Sequence, residues 1–138
     1  MRSLHEQVQG LRLQDVVRFE QPVSVSVLPS WYRRCTVHVN LTPVGSGDKV
    51  AWEAMSCGRP CLVANEGFAE TLEEYADRLL FRYRDPEDLA NKLIYLLALS
   101  ERDRNQIGFH LRQQVVRKHS LASLATNLIG VFRTVRQL

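Results

Sequence analysis

The run Cys61-Leu62-Val63-Ala64 sets the terms for the rest of the chain. Four consecutive apolar residues, entered through Gly58-Arg59-Pro60, are too few for a helix and too continuous for a strand with one wet face. The pattern is that of a strand covered on both sides, as in a parallel sheet. Parallel neighbours require crossover connections, so helices must flank this strand in sequence.

The flanks supply them. Apolar positions Leu4, Val8, Leu11 and Leu13 suggest a helix that stops near Gly10. Residues 16–19, Val-Val-Arg-Phe, read as a short strand, and 24–34 as a helix with Val27, Leu28, Trp31 and Tyr32 on one face and Pro29 in its first turn. Residues 36–41 alternate with period two and are rich in β-branched side chains, which predicts a strand ending before Pro43. A helix is expected over 47–57, then a short helix over 69–75 and a further strand over 79–81. Asp85-Pro86 is a helix start, with Asp85 as N-cap and Pro86 at the first helical position, in a helix reaching Leu99. Two more helices, 102–118 and 121–137, carry Ile107, Leu111 and Val115, then Leu121, Leu124, Leu128, Val131 and Val135, at helical spacing. Packing into the core is the expected role of both sets.

This alternation of strand and helix predicts an α/β fold, with a mainly parallel sheet followed by C-terminal helices. At 138 residues the chain is expected to form one domain, residues 1–138. Its 45% hydrophobic and 24% charged residues are ordinary globular values. The formal charge of +3 comes from dispersed arginines, which suits a solvated surface first and an anionic ligand, acidic membrane or nucleic acid second. Nucleic acid is disfavoured, because no basic face carries interleaved aromatics and Trp31, Trp52 and Tyr75 are accounted for by packing. No apolar run approaches the roughly 20 residues of a membrane span, and no leader follows Met1, so a cytoplasmic location is expected. Cys35, Cys57 and Cys61 lack the second Cys/His pair of a zinc site and read as reduced thiols. His5, His38, His110 and His119 lie on different elements with no shared partner evident. No metal or cofactor is expected.

In parallel sheets ligands gather beyond the carboxyl ends of the strands, where loops feed helix N-termini. Here that loop is Pro43-Val-Gly-Ser-Gly-Asp48. Gly45 and Gly47 remove Cβ atoms, and the amides of Gly47, Asp48, Lys49 and Val50 would point from the helix start toward an anion, with Lys49 as a mobile cation. Asp48 offers a competing arrangement, since a carboxylate in the first turn can satisfy those amides itself. Glu53 stands one turn inside, as an i,i+4 partner of Lys49 or as an acceptor for a pair of vicinal hydroxyls. Neither a P-loop nor a dinucleotide fingerprint is present.

"KVAWEAMSCGRPCLVAN" (49–65) resembles the C-terminal, donor-binding domain of GT-B retaining glycosyltransferases, the group that includes the family 4 enzymes. "EGFAE" (66–70) is similar to that group's Gly-Gly-x-Pro-Glu turn, and "VRFEQPVSVSVLPSWYRRCTVHVNLTP" (17–43) resembles its strand, Leu-Pro-x-x-Tyr helix and strand ending in Pro. "RDPEDLANKL" (84–93) looks like its Asp-Pro-x-x-Leu-Ala helix start, and the last two helices look like its C-terminal pair. The resemblance implies a Rossmann-like three-layer fold that binds a nucleotide-diphosphate sugar. It would place Glu53 at the second Glu of the Glu-x7-Glu motif, on the ribose hydroxyls, and the amides from Gly47 to Val50 on the diphosphate. Glu70 would orient its loop near the nucleotide.

Two departures qualify what is implied. The first Glu of the motif, which contacts the donor sugar, falls at Gly45. The two strand–helix units that precede the "VRF" strand in the family, with their Arg/Lys pair, and the N-terminal acceptor domain are not in this sequence. The resemblance therefore implies part of an enzyme, without catalytic residues and inactive alone, or a non-catalytic nucleotide-binding or subunit-interaction module of the same descent. A sheet shortened in this way invites a homodimer through its uncovered edge. Peripheral membrane contact would belong to the full enzyme.

Overall fold

The computed structural model describes residues 3–45 and 48–135. Two short strands, β1 (His38–Asn40) and β2 (Cys61–Val63), run parallel, with His38 opposite Cys61, Val39 opposite Leu62 and Asn40 opposite Val63. Every residue of β2 is buried, as its unbroken apolar run requires. The crossover between the strands is α3 (Lys49–Ser56), which buries Ala51, Ala54 and Met55. The chain is thus mixed α/β around a short parallel sheet.

Before the sheet stand α1 (Leu4–Gly10) and α2 (Leu28–Arg34). A reciprocal capping box starts α1: Ser3 Oγ accepts from the Glu6 amide, and the Glu6 carboxylate accepts from the Ser3 amide at 2.8 Å. The strand expected over 16–19 does not form; those residues are turn and irregular chain. Val16 is 76% exposed, so β-propensity alone has no neighbouring strand to complete it. The helix expected from Ser24 begins only at Leu28, because residues 25–27 form a turn and Pro29 sits in the first helical turn.

After β2 the chain makes a 3-10 turn (Glu66–Phe68), α4 (Ala69–Leu72), a second 3-10 turn (Glu73–Tyr75) and α5 (Ala76–Leu79). The strand expected over 79–81 shrinks to a single parallel bridge between Leu80 and Val63, since Leu79 ends α5. Asp85 caps α6 (Pro86–Ala98) by accepting from the Asp88 amide at 2.9 Å, with Pro86 in the first turn. α7 (Glu101–His119) follows under a Ser100 cap, and then α8 (Leu121–Val135).

The core gathers α3, β2 and α7 around Met55, Leu62, Phe68, Leu72, Leu79, Leu96 and Leu111. Ile107, Leu111 and Val115 of α7 are buried as expected. The contact between α7 and the turn after α3 is close enough that a Cβ on Gly108 would fall 2.1 Å from the Gly58 carbonyl oxygen. α8 departs from expectation: none of its residues is buried, and Leu121, Leu124, Leu128, Val131 and Val135 all face solvent. No helix among the described residues is long and apolar enough to cross a membrane.

Candidate functional site

β1 ends at Asn40, and the loop it feeds leads into α3 at Asp48. The Asp48 backbone is extended, as an N-cap requires, and its Oδ1 accepts from the Val50 amide at 3.0 Å. Its Oδ2 accepts from Asn40 Nδ2 and from the Thr42 hydroxyl, while Asn40 Oδ1 accepts from the Thr42 amide at 3.0 Å. The bonds from Asn40 and Thr42 hold the Asp48 carboxyl below the usual aspartate range. Of the two arrangements legible in the loop, the structure adopts the self-capped one, with the Val50 amide donated to Asp48. Gly47 lies outside the described residues. Gly45 has φ +91°, in the left-handed region that favours glycine.

Lys49 and Glu53 share one wall of a cleft of about 450 Å³ between α3 and the C-terminal part of α7. Trp52 and Ser56 complete the α3 side, and Val115, Val116, His119 and Ser120 form the other. The Tyr32 hydroxyl of α2 donates to Glu53 Oε2 at 2.9 Å, which fixes the carboxylate and leaves Oε1 without a hydrogen bond among the described residues. Burial, followed by this bond to Glu53, pushes the Tyr32 phenol up, so it remains a donor at neutral pH.

Glu70 belongs to a neighbouring cleft of about 560 Å³, lined also by Gly67, Thr71, Arg117, Lys118 and the first turns of α8. His119 borders both clefts. Its ring lies against Trp52 with centroids 4.6 Å apart, and its Nε2 is 2.9 Å from the Thr71 hydroxyl. Burial, with Lys118 beside it, pushes the His119 pKa below the ordinary histidine value, so the neutral ring prevails at pH 7. The Glu70 side chain is 88% exposed, with Lys118 Nζ at 4.0 Å from its carboxylate. The Glu73 carboxylate collects Arg117 at 2.9 Å, Lys118 at 3.1 Å and His110 at 3.4 Å, and so ties the turn after α4 to α7.

The candidate residues therefore divide into three places. Gly45, Asp48 and Val50 form the strand-to-helix turn, Lys49 and Glu53 the first cleft, and Glu70 the second. His119, Trp52 and Tyr32 carry no site signal in the sequence, because the contacts that involve them join α2, α3, α4 and α7 across long separations. Trp31, expected to pack, stands 36% exposed with the Arg34 guanidinium over its ring at 5.4 Å. Cys35, Cys57 and Cys61 are free, and burial pushes the Cys61 thiol up. Among the described residues no group of three or more His, Cys, Asp or Glu side chains could hold a metal ion.

The sequence profile of the family described as "Glycosyl transferases group 1" matches residues 1–99, which reaches just past the end of α6. A D-inositol 3-phosphate glycosyltransferase from Geodermatophilus obscurus is 35% identical over 101 residues, covering 72% of this chain and 22% of the relative. A D-inositol 3-phosphate glycosyltransferase 2 from Catenulispora acidiphila is 35% identical over 95 residues, covering 68% of this chain and 22% of that protein. A D-inositol 3-phosphate glycosyltransferase from Thermobifida fusca is 30% identical over 106 residues, 76% of this chain and 24% of the relative. The matches thus span less than a quarter of each of these relatives. No solved structure matches the chain.

Proposed function

Because the chain belongs to the group 1 glycosyl transferase family, whose fold is GT-B, we propose that it binds the nucleotide-diphosphate sugar donor of a retaining glycosyl transfer. The observation that carries this reading is the shared wall of Lys49 and Glu53 in the α3–α7 cleft. Tyr32 holds one oxygen of Glu53, and the other is open to a ribose hydroxyl. Lys49, one turn nearer the helix start, supplies a cation to the diphosphate, with the dipole of α3 behind it. Gly45, Asp48 and Val50 form the turn around that diphosphate, and the Gly47 amide, outside the described residues, is assigned to it as well. The Val50 amide becomes a ligand when phosphate oxygens displace the Asp48 carboxylate. Glu70 orients the adjoining loop.

No residue of this chain is assigned to bond making or breaking. The acceptor and the catalytic groups would come from a further domain of a longer enzyme, and the 138 residues alone are expected to be inactive. The protein would act in the cytoplasm.

A second reading, a nucleotide-binding or subunit-interaction module without turnover, draws support from Gly45. Its φ of +91° disfavours a glutamate at the place where the family's sugar-contacting carboxylate falls. The two readings share the nucleotide site and differ in whether the sugar is bound.

Calorimetric titration with nucleoside diphosphates tests the site. Millimolar or tighter binding is expected, weakened about tenfold or more in Glu53→Ala, the scale of a hydrogen bond to a charged group. Absence of binding at millimolar ligand, or equal affinity in Glu53→Ala, would sink it. With sugar esters of the same nucleotides, added affinity favours the transferase reading and no added affinity favours the module.

A further inference from the structure

Tyr32 and Glu53 stand 21 residues apart in sequence and meet at 2.9 Å across the gap between α2 and α3. Both line a smaller pocket of about 220 Å³, whose other walls are the apolar Val25, Leu28 and Pro29 and the C-terminal end of α3. Glu53 also borders the cleft that holds Lys49, so one carboxylate serves both hollows. The Tyr32 ring is itself steadied by the His38 ring, edge on, with centroids 5.7 Å apart. The hydroxyl is therefore in place before any ligand arrives.

A bond that only staples two helices would leave nothing over. This pair leaves two acceptors. With its proton given to Oε2, the Tyr32 hydroxyl has no second donor but keeps acceptor lone pairs. Burial, and then the bond to Glu53, pushes the phenol pKa up, so that proton stays where it is through the neutral range. Glu53 Oε1 accepts no hydrogen bond among the described residues. The Ser56 hydroxyl in the same pocket is already donated to the Glu53 carbonyl at 2.8 Å, and no cationic side chain among the described residues lines the pocket. The ligand must then bring two donors of its own on neighbouring atoms, which an anion does not and a vicinal diol does.

We propose that Tyr32 is a ribose-reading residue: one of the two vicinal hydroxyls donates to Glu53 Oε1 and the other to the Tyr32 oxygen, so that the pair selects ribonucleotides over deoxyribonucleotides. This rests on the nucleotide site proposed above and names what sets its selectivity. A carboxylate alone could take both hydroxyls, one on each oxygen. Here Tyr32 already claims Oε2, so the second hydroxyl falls to the phenol. A ligand lacking either hydroxyl leaves one fixed acceptor unpaired, which is the source of the discrimination.

The test is calorimetry with uridine, guanosine and adenosine diphosphates and, for the one that binds tightest, its 2′-deoxy and 3′-deoxy forms. The wild type is expected to bind the ribose form about fivefold or more tighter than either deoxy form, the scale of one hydrogen bond. Tyr32→Phe, which keeps the ring against His38, is expected to lose the discrimination against one deoxy form and keep it against the other. A bond that only staples α2 to α3 would instead weaken all three ligands by the same factor. That equal loss, unchanged selectivity in Tyr32→Phe, or equal affinity of the wild type for all three forms would overturn the proposal. Binding that still weakens in Glu53→Ala would in each of those cases leave the nucleotide site standing. No binding of any of the three nucleoside diphosphates would overturn both together.

Discussion

Asp48 carries two opposed roles. Its carboxylate caps α3 and ties the strand-to-helix turn to Asn40 and Thr42, yet it stands at the place where the proposed function puts a diphosphate. Asp48→Ala is therefore expected to lower stability by about 0.5–2 kcal/mol, the worth of an N-cap, and to tighten nucleoside diphosphate binding by removing a like charge. Chemical denaturation and calorimetry on the same variant check the two halves. The pH dependence has a definite sign. A carboxylate whose folded pKa is depressed stabilises the fold above its ordinary value of 3.8 and loses that contribution as pH falls through the lower folded value. The stability gap between wild type and Asp48→Ala should be full at neutral pH and close in that acid range. Two glycines make a sharper contrast. Gly108→Ala drives a methyl into the Gly58 carbonyl and is expected to cost about 3 kcal/mol or more, because both partners are backbone or close to it. Gly130→Ala, on the exposed middle of α8 with nothing within 4 Å, is expected to gain about 0.5–1 kcal/mol from helix propensity. Thermal melts of the two variants should shift in opposite directions.

At the scale of elements, local signals were legible where one residue does the work and failed where a neighbour must. Asp85 and Pro86 mark the start of α6 from sequence alone, and the unbroken Cys61–Val63 run marks a buried strand, because caps and two-sided burial leave their own patterns. The segment 16–19 has the composition of a strand but no partner, and Leu80 makes only a bridge. Pairing is a tertiary fact that β-branched side chains do not encode. The same limit separates α7 from α8. Both carry apolar residues at helical spacing, but one set is buried and the other is not, since periodicity gives a face and not its occupant. Leu111→Ala in α7 is expected to cost about 2–5 kcal/mol, and Leu124→Ala in α8 less than about 0.5 kcal/mol. Urea denaturation of the two alanine variants would show the difference.

Across the whole molecule, the sequence supplied Lys49, Glu53 and Glu70, and the fold supplied what faces them. The first cleft is half α3 and half α7, and α7 begins after residue 99, where the family match ends. His119 closes that cleft from a position 66 residues beyond Glu53 in sequence, and no local pattern could have nominated it. The Trp52 and His119 rings, with the Thr71 hydroxyl, stand where the two clefts meet, both bordered by His119. The most direct test of that assembly is to follow the backbone amides of isotopically labelled protein by nuclear magnetic resonance while a nucleoside diphosphate is added. The account predicts saturable shifts concentrated at Lys49, Val50, Glu53 and His119, which in Glu53→Ala need about tenfold or more ligand to saturate. Shifts scattered over the surface arginines, or confined to elements away from α3 and the end of α7, would contradict it.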